Sequence, residues 1–374
     1  MPGPSRPIQA LLRAFLLTVL AGTATASPAT DKVIANVRLP PGFKLEVYAD
    51  DVPFARSMAL GAKGTLFVGT RKGVVYALTG TPGSGVKPTT RTLAGKLNQP
   101  NGVAFRDGAL YVAEVSRITR YDGIESSLDQ VPEPKVVRDD FPKDGHHGWK
   151  YIAFSPDGKL YVPIGAPCNI CNQPGYAVIT RMNPDGSDRE VFARGIRNTV
   201  GFTWHPTTRE LWFTDNGRDY LGDDAPPCEL NVAPRPGLDF GFPYCHGKDI
   251  KDPEFGKLGD CGRIAPPVQL LDAHVAPLAV KFYTGSAFPE RYRNLVFIAE
   301  HGSWNRSEKS GYRITTVKLD GNQAVSYEPF ATGFNRGNEV YGRPVDLLLL
   351  DDGSFLVSDD QAGAIYRLSY AVKD

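Results

Sequence analysis

The amino-acid sequence predicts an all-β fold, a six-bladed β-propeller with antiparallel four-stranded blades. The main observation is a sequence motif that is repeated about every 45–50 residues, with two longer gaps between copies. Each copy combines a strand, a tight turn containing Gly, Asp or Pro, and a second strand rich in aromatic and β-branched residues. The six copies begin at Met58, Val103, Ile152, Phe202, Ala279 and Val345.

Composition and ring closure agree with this fold. The chain contains 39 Gly and 31 Pro, as expected for a fold that turns often. No helical heptads or low-complexity runs follow the leader, so helical turns are expected only within loops. We predict a single propeller domain over residues 37–371. Pairing of residues 43–48 with the last copy would close the ring and seal sheet edges that otherwise invite aggregation.

Residues 1–26 have the pattern of a signal peptide. Arg6 and Arg13 precede an apolar run at residues 14–21, and Ala-Thr-Ala at residues 24–26 fits a small-residue cleavage site before Ser27. The apolar run is too short to span a bilayer. We therefore expect an exported protein, periplasmic or secreted, with no membrane span.

Charge and cysteine content narrow the function classes. Lys plus Arg (42) nearly equals Asp plus Glu (41), which argues against nucleic acid or an anionic membrane as a partner. In an oxidising compartment, five cysteines predict two disulfides and one leftover thiol. Placement favours Cys168–Cys171 and Cys245–Cys261, with Cys228 unpaired. The Cys168-Asn-Ile-Cys171 motif is also compatible with a redox pair or half of a metal site.

Two candidate sites lie shortly before the first strands of the third and fourth copies. His146 and His147 precede the third copy, and a histidine can accept the proton of an alcohol near neutral pH. Two loop histidines bonded to backbone are the simpler alternative. Arg197 and Asn198 precede the fourth copy and offer a fork of donors and a planar amide to a carboxylate or developing oxyanion. The alternative for Arg197 is a salt bridge between blades.

The loop after the second strand of the fourth copy, residues 214–224, is rich in carboxylates and glycine. Backbone and side-chain oxygens of such a loop can bind a hard cation such as calcium, although the spacing is not that of an EF-hand. A solvated acidic turn is the alternative.

The remaining candidates are polar or aromatic residues beside the other copies. They are Gln99 and Asn101 before the second copy, His301, Trp304 and Arg306 after the fifth, and Arg343 before the sixth. Trp304 is also compatible with packing between blades. Because polar residues precede the first strand in four copies, we expect them on one rim of the propeller. A shared rim favours a functional site over unrelated surface residues.

Motifs at these positions give the chain a family resemblance. They are H-H-G-W-K-Y-I-A-F-S-P-D-G-K-L-Y-V-P-I-G-A-P-C-N, G-I-R-N-T-V-G-F, D-N-G-R-D, F-G-F-P-Y-C-H-G, H-G-S-W-N-R and G-R-P-V-D. Together and in order, over residues 37–371, they resemble the glucose/sorbosone dehydrogenase family. Members of this family are soluble six-bladed propellers that use pyrroloquinoline quinone (PQQ) and calcium. The likeness is greatest to the sorbosone dehydrogenase-like branch.

The resemblance implies roles for the matching residues. His147 falls where the soluble glucose dehydrogenases keep their catalytic base. Arg197 matches the arginine at the quinone oxygen, and Asn198 matches its neighbour over the cofactor. Arg343 matches one of two arginines that bind the cofactor carboxylates, and His301 lies where those enzymes have a cofactor-binding lysine.

The same resemblance implies a metal site and shows departures. The backbone carbonyls of Gly217 and Arg218 match calcium ligands. His146 stands where the glucose enzymes have Asp, and Val345 replaces the second cofactor arginine, for which we expect Arg306 to compensate. The substrate contacts are expected from Gln99, Asn101, His146 and Trp304.

The function implied is a PQQ-dependent oxidoreductase acting on a small-molecule sugar or sugar-derived aldehyde or alcohol. In that reaction His147 accepts the hydroxyl proton while a hydride passes to the quinone, and calcium and Arg197 stabilise charge on the quinone oxygen. Electrons would leave to an external acceptor, a quinone or a cytochrome.

Two alternatives stay open: a calcium-dependent lactonase-like hydrolase and a non-catalytic binding propeller. The chain has no G-x-S-x-G elbow, P-loop or strand-to-helix G-x-G-x-x-G, so serine-nucleophile, nucleotide and nicotinamide enzymes lack support.

Overall fold

The computed structural model of the chain describes residues 27–371, together with Met1 and Gly3. The rest of the predicted signal peptide lies outside the described residues. The described segment begins with a helix, Pro28–Asn36, that the sequence did not predict. Ser27 caps it by accepting a hydrogen bond from the Thr30 amide, and Val33 is buried against the propeller. No helix among the described residues is long and apolar enough to cross a membrane.

Six four-stranded antiparallel sheets form the six blades, as predicted. The first three blades are listed from the inner strand outward. Blade 1 is Ala55–Leu60, Leu66–Thr70, Val75–Thr79 and Thr89–Ala94. Blade 2 is Gly102–Arg106, Ala109–Ala113, Ile118–Tyr121 and Lys135–Arg138. Blade 3 is Ala153–Phe154, Leu160–Ile164, Val178–Met182 and Glu190–Arg194, to which Leu238–Asp239 adds a short parallel strand.

The remaining blades follow the same order, with longer connections. Blade 4 is Phe202–Trp204, Leu211–Asp215, Pro227–Ala233 and Gln269–Ala273. Blade 5 is Pro277–Phe282, Val296–Glu300, Arg313–Asp320 and Gln323–Ala331. Blade 6 is Pro344–Leu349, Phe355–Asp359, Ala364–Tyr370 and the N-terminal strand Phe43–Ala49. Two small hairpins, Cys245–His246 with Ile250–Lys251 and Asn335–Arg336 with Glu339–Val340, lie in the connections. Four 3₁₀ turns complete the described elements: Ile124–Ser126, Gly256–Leu258, Cys261–Arg263 and Glu290–Tyr292.

The ring closes where the sequence predicted. Phe43–Ala49 pairs antiparallel with Ala364–Tyr370, from Phe43 opposite Tyr370 to Ala49 opposite Ile365. The Phe43 ring then packs edge-on against four aromatic rings, including Phe288 and Phe330 at 4.7 and 4.8 Å between centroids. Because these rings belong to the core shared by blades 5 and 6, the N-terminal strand is fixed by packing as well as by hydrogen bonds.

Both predicted disulfides are present. Cys168–Cys171 lies in the loop that leaves the second strand of blade 3. Cys245–Cys261 ties together the insertion between the last two strands of blade 4. Cys228, the predicted leftover thiol, is unpaired and buried. Burial raises its pKa to about 12, so the thiol stays protonated and unreactive at neutral pH.

Strand direction explains where a site can form. In every blade, the residue before the first strand and the residue after the second strand lie at the same end of the sheet, because the two strands are antiparallel. Arg343 directly precedes a first strand, and His147 and Arg197 lie a few residues before one. Asn216 and His301 directly follow a second strand. Both groups therefore meet on one face of the propeller.

Candidate functional site

A cavity of about 560 Å³ opens on that face of the propeller. It brings together most of the residues that the sequence singled out. These are His146, His147, Arg197, Asn198, Gly217, His301, Trp304 and Arg343. These residues therefore lie together on one face, as their positions beside the strands predicted.

His147 is held with one ring nitrogen bonded and the other available. Its Nδ1 lies 2.8 Å from the carbonyl oxygen of Ala166, and a carbonyl only accepts, so Nδ1 carries the proton and Nε2 has the lone pair. Burial, then the charge of Arg197 and the neighbouring His146, lower the pKa of His147 to about 2. The imidazole is therefore neutral at physiological pH and can accept a proton at Nε2.

The backbone around His147 is strained and tightly packed. His147 has a φ of +50°, a left-handed conformation that is costly for a residue with a side chain. A Cβ placed on Gly165 would lie 2.7 Å from the Cβ of His147, so only glycine leaves room for the ring. His146 lies next to it with 4.0 Å between ring centroids, but its side chain is exposed. The loop thus half-buries His147 and leaves His146 exposed.

A buried lysine connects the His147 loop to blade 2. Lys150 is only 2% exposed, and its ammonium donates to the carbonyl oxygens of Gly148, at 2.9 Å, and Val115. No carboxylate within 4 Å pairs with it among residues 27–371, and burial lowers its pKa to about 8. The backbone carbonyl of Lys150 accepts from Asn101 at 2.9 Å. Lys150 therefore joins the His147 loop to the polar loops of blade 2.

Arg197 is buried and its guanidinium is fully engaged by the protein. It donates to the carbonyl oxygens of Asn169, at 2.9 Å, and Gly217, at 2.9 Å. Its other terminal nitrogen bonds the side-chain oxygen of Asn169 at 2.9 Å and the Asp219 carboxylate at 3.3 Å. The backbone amides of Arg197 and Asn198 both donate to the buried Asp215. These bonds fix a cation on the cavity wall on the same side as His147.

The opposite wall is basic and centres on one buried carboxylate. Asp360 accepts from Arg56 at 3.1 Å, Arg71 at 3.4 Å and the Nε2 of His301 at 2.7 Å. Burial raises the pKa of Asp360, but the bonds and charges of His301, Arg56 and Arg71 outweigh this effect and leave the pKa well below its usual range. One negative charge thus faces two arginines, which leaves this wall with an excess of positive charge.

Arg343 adds a further cation to the basic wall. Its guanidinium donates to the carbonyl oxygens of His301, at 3.0 Å, and Gly302, at 2.8 Å. Within the described part of the chain it has no carboxylate partner within 4 Å. Its charge is therefore available to an anion in the cavity.

Sequence reasoning missed Arg56, Arg71, Asp360 and Trp149 in this wall. Arg71 and Asp360 directly follow the second strands of blades 1 and 6, in the same position as Asn216 and His301. That position was the signal that could have found them. The indole of Trp149 borders the cavity, 5.3 Å from the guanidinium of Arg71, and its buried Nε1 has no hydrogen-bond partner among the described residues.

Three residues predicted to contact substrate or cofactor do not line the cavity. Asn101 is buried between Arg56, whose Nε donates to it at 2.8 Å, and the Lys150 carbonyl, so its amide has no free group for a substrate. Gln99 borders an adjoining groove with Arg71. Arg306 bonds the carbonyl oxygen of Asp223 at 2.8 Å instead of facing the cavity, so the basic side chain that stands near Arg343 is Arg71.

The predicted calcium loop offers oxygen atoms but no cluster of charged ligands. The Gly217 carbonyl accepts from Arg197, and a carbonyl oxygen has a second lone pair for another partner. The Arg218 side chain turns away and pairs with the buried Asp252 at 2.6 Å. Among residues 27–371, no group of three or more His, Cys, Asp or Glu is placed to hold a metal ion. The convergent carboxylates that a lactonase-like calcium site requires are therefore absent from the described residues.

Comparison with solved structures supports the fold. The calcium structure of a Trichoderma reesei carbohydrate-active enzyme of family AA12 superposes with a TM-score of 0.77, over 90% of this chain and 97% of that chain, at 21% identity. The holo form of the pyranose dehydrogenase PQQ domain from Coprinopsis cinerea gives a TM-score of 0.75, over 89% of this chain and 97% of that chain, at 18% identity. At these identities the likeness establishes a shared architecture.

Comparison at the sequence level identifies the family. An uncharacterised protein of Borreliella burgdorferi is 35% identical over 373 residues, which are 95% of this chain and 96% of that protein. The sequence profile of the family described as glucose/sorbosone dehydrogenase matches residues 112–367. This range spans blades 3 to 5, the two outer strands of blade 2 and most of blade 6, including every cavity residue predicted from the third to the sixth copy. The chain therefore belongs to the glucose/sorbosone dehydrogenase family.

Proposed function

We propose that this protein is a PQQ-dependent dehydrogenase of sugars or sugar-derived aldehydes or alcohols. One observation carries the proposal: a wall of arginines borders the same cavity as a neutral histidine whose Nε2 has no hydrogen-bond partner among the described residues. The family and the pyranose dehydrogenase likeness support the same class of substrate. PQQ, when bound, supplies the acceptor for the hydride that leaves the substrate carbon.

His147 is the proton acceptor in this proposal. Its Nε2 is the ring nitrogen without a protein partner, and the low pKa keeps that nitrogen unprotonated at physiological pH. A substrate hydroxyl hydrogen-bonded to Nε2 would transfer its proton there, while the Ala166 carbonyl keeps the ring oriented and stabilises the imidazolium through Nδ1–H. His146, exposed beside it, is placed for contact with substrate hydroxyls.

The basic wall suits a polyanionic quinone. Arg71 and Arg343 carry the excess positive charge of this wall. Arg343 is half-buried, and the lower local dielectric strengthens its attraction for carboxylates, whereas the side chain of Arg71 is 42% exposed. His301, fixed by Asp360, completes the set of groups that would hold the cofactor carboxylates. Arg71 supplies the second arginine that Val345 does not.

On the opposite side, Arg197 and Asn198 would contact the redox end of the cofactor. Arg197 is locked by Asn169, Gly217 and Asp219, so its charge needs no rearrangement when negative charge develops nearby. Calcium fits the donor chemistry of the adjacent loop, because the Gly217 carbonyl and the Asp219 carboxylate are hard oxygen ligands at the cavity edge.

Reconstitution of the apoprotein tests the function. Purified protein is incubated with calcium and PQQ, and dye reduction is measured with a panel of aldoses and aldehydes. Substrate-dependent reduction that requires PQQ supports the proposal. Tight PQQ binding without turnover of any substrate would indicate a binding propeller, and lactone hydrolysis without PQQ would indicate a hydrolase.

The calcium requirement is tested separately. Exhaustive chelation should abolish dye reduction, and calcium added together with PQQ should restore it, whereas zinc should substitute poorly for oxygen ligands. Unchanged activity after chelation would remove the metal from the mechanism. The two disulfides and the signal-peptide pattern support a periplasmic or secreted location, with a quinone or cytochrome as the external electron acceptor.

A further inference from the structure

Two exposed aromatic side chains stand together at the mouth of the cavity. Tyr220 and Trp304 are each 65% exposed, and their rings meet edge to face with 5.9 Å between centroids. Trp304 also lines the cavity itself. Large aromatic rings left in contact with water beside a concave site are unusual in soluble proteins and mark a binding surface.

The loops that carry the pair are braced against each other. Arg306 donates to the carbonyl oxygen of Asp223 at 2.8 Å and pairs with the Asp224 carboxylate at 3.0 Å. The Ser307 amide donates to the side chain of Asp223 at 3.0 Å. These bonds join the loop after the second strand of blade 4 to the loop after the second strand of blade 5. Arg306, which does not face the cavity, thus fixes the separation of the two rings.

The backbone at Tyr220 is strained although the side chain is not buried. Its φ is +68°, a left-handed value that is costly for a bulky residue. The preceding residue, Asp219, is bonded on both sides of its peptide, with its amide donating to the Asn169 side chain at 2.8 Å and its carbonyl accepting from the same side chain at 3.1 Å. The fold therefore maintains an unfavourable conformation that holds an aromatic ring in solvent.

Charge around the pair favours a neutral, hydroxyl-rich ligand. Asp219, Asp223 and Asp224 lie in the loop of Tyr220, whereas the positive charge of the cavity is concentrated on the far wall, at Arg71 and Arg343. Because Arg197 pairs with Asp219 and Arg306 with Asp224, this edge carries no excess positive charge that would attract an anion. A sugar ring presents an apolar face to aromatic side chains and hydroxyl donors to carboxylates, so it matches both features.

We propose that Tyr220 and Trp304 form an outer subsite that binds the second sugar ring of an oligosaccharide whose first ring enters the cavity. This inference rests on the proposed sugar dehydrogenase function. It assigns the protein a preference for substrates longer than a monosaccharide, because the exposed pair adds an aromatic surface outside the cavity that His147 lines.

The kinetic test compares glucose with maltotriose in the reconstituted holoenzyme. Tyr220→Ala and Trp304→Ala should each raise KM for maltotriose by roughly 5- to 10-fold, and Tyr220→Ala, whose side chain does not line the cavity, should change KM for glucose by less than about 2-fold. Because the rings touch, the double variant should lose less than the product of the single effects. Leu258→Ala, which removes an equally exposed apolar side chain from the blade 4 insertion, is the matched control.

A binding measurement separates this inference from the proposed function. Maltotriitol, which lacks a reducing end, is titrated calorimetrically into the protein without PQQ. Weaker binding by the Tyr220→Ala and Trp304→Ala variants than by wild type and Leu258→Ala would support the subsite even if no dehydrogenase activity were found. Equal binding by all four proteins, equal losses for glucose and maltotriose, or a change only in KM for the electron acceptor would each overturn it.

Discussion

His147 and His301 border the same cavity, yet their surroundings give them opposite hydrogen-bonding patterns. His147 donates through Nδ1 to a backbone carbonyl and keeps Nε2 free. His301 donates through Nε2 to the Asp360 carboxylate, which Arg56 and Arg71 also hold. Burial lowers the pKa of both, to about 2 for His147 and about 4 for His301, where the Asp360 charge partly offsets burial.

The contrast separates the two walls of the cavity by chemistry. A histidine that donates through Nδ1 to a backbone carbonyl and stays neutral presents the lone pair of Nε2 to a ligand. A histidine that donates to a carboxylate within a group of arginines has its Nε2–H occupied and belongs to a basic surface. Under the proposed function, the first side would serve proton transfer and the second would hold a charged cofactor.

Removing the base should have the largest effect. His147→Ala is expected to lower kcat by roughly 100- to 10,000-fold, the usual contribution of a positioned general base, with PQQ affinity largely intact. Steady-state kinetics of the reconstituted enzyme and a PQQ titration measure the two quantities. His146→Ala is the control and should cost less, because its ring is exposed. A larger loss for His146→Ala would assign the base to the wrong histidine.

Removing arginines from the basic wall should instead weaken cofactor binding. Arg71→Ala and Arg343→Ala are each expected to weaken PQQ binding by roughly 10- to 100-fold, the scale of a lost charge-assisted hydrogen bond. Fluorescence titration of the apoprotein with PQQ gives the affinities. Arg306→Ala, whose guanidinium bonds Asp223, should leave PQQ affinity near the wild-type value. If Arg306→Ala weakened PQQ binding as much as Arg71→Ala, Arg306 would have to be assigned to the cofactor site.

Loosening the loop of His147 should have an intermediate effect on the first wall alone. Lys150→Met keeps the length of the side chain but leaves the buried carbonyls of Gly148 and Val115 without their donor. We expect kcat to fall by about 10-fold through misplacement of the base, and the free energy of unfolding to fall by about 1–3 kcal/mol. Kinetics and urea unfolding measure these changes, with little change in PQQ affinity.

Lys281→Met is the matched control for Lys150→Met. Lys281 is also desolvated, but its partner is the hydroxyl of Tyr151, at 2.8 Å, and not a backbone carbonyl beside His147. A comparable loss of stability with unchanged kcat would distinguish general destabilisation from misplacement of the base. If both variants lowered kcat equally, Lys150 would have no specific role in positioning His147.

The two walls were not equally predictable from the sequence. The propeller, its closure by the N-terminal strand and the two disulfides follow from repeats and spacing, which are local properties of the chain. His147 and Arg197 were found for the same reason, since each precedes a recognisable strand pair. The helix Pro28–Asn36 was missed because its stability comes from packing of Val33 against the closed ring.

The basic wall depends on contacts between distant segments. Arg56 and Arg71 reach Asp360 across the seam where blade 1 meets blade 6, nearly the whole length of the chain apart in sequence. No local pattern predicts that meeting. Arg306 was assigned to the cofactor from its neighbours in the sequence, but the carbonyl and carboxylate oxygens of residues 223 and 224 compete for its guanidinium. Sequence register predicts which residues reach the face, and only the packed structure shows how their charges pair.

The smallest expected effect is that His147 and His301 do not titrate. This expectation tests the comparison of the two histidines most directly. A lowered pKa means that the neutral imidazole persists to lower pH, so neither His147 nor His301 should take up a proton between pH 5 and pH 8 in the apoprotein. Nitrogen-15 NMR of the imidazole rings should show His147 as the Nδ1–H tautomer and His301 as the Nε2–H tautomer across this range. His274 is the internal control, because the Asp219 carboxylate, 3.8 Å from its Nδ1, raises its pKa and it should titrate. Finding the same tautomer at His147 and His301 would remove the division between a proton-accepting wall and an anion-binding wall. In Asp360→Asn, His301 loses its carboxylate partner while the bond from His147 to Ala166 is untouched, so only the His301 resonances should change.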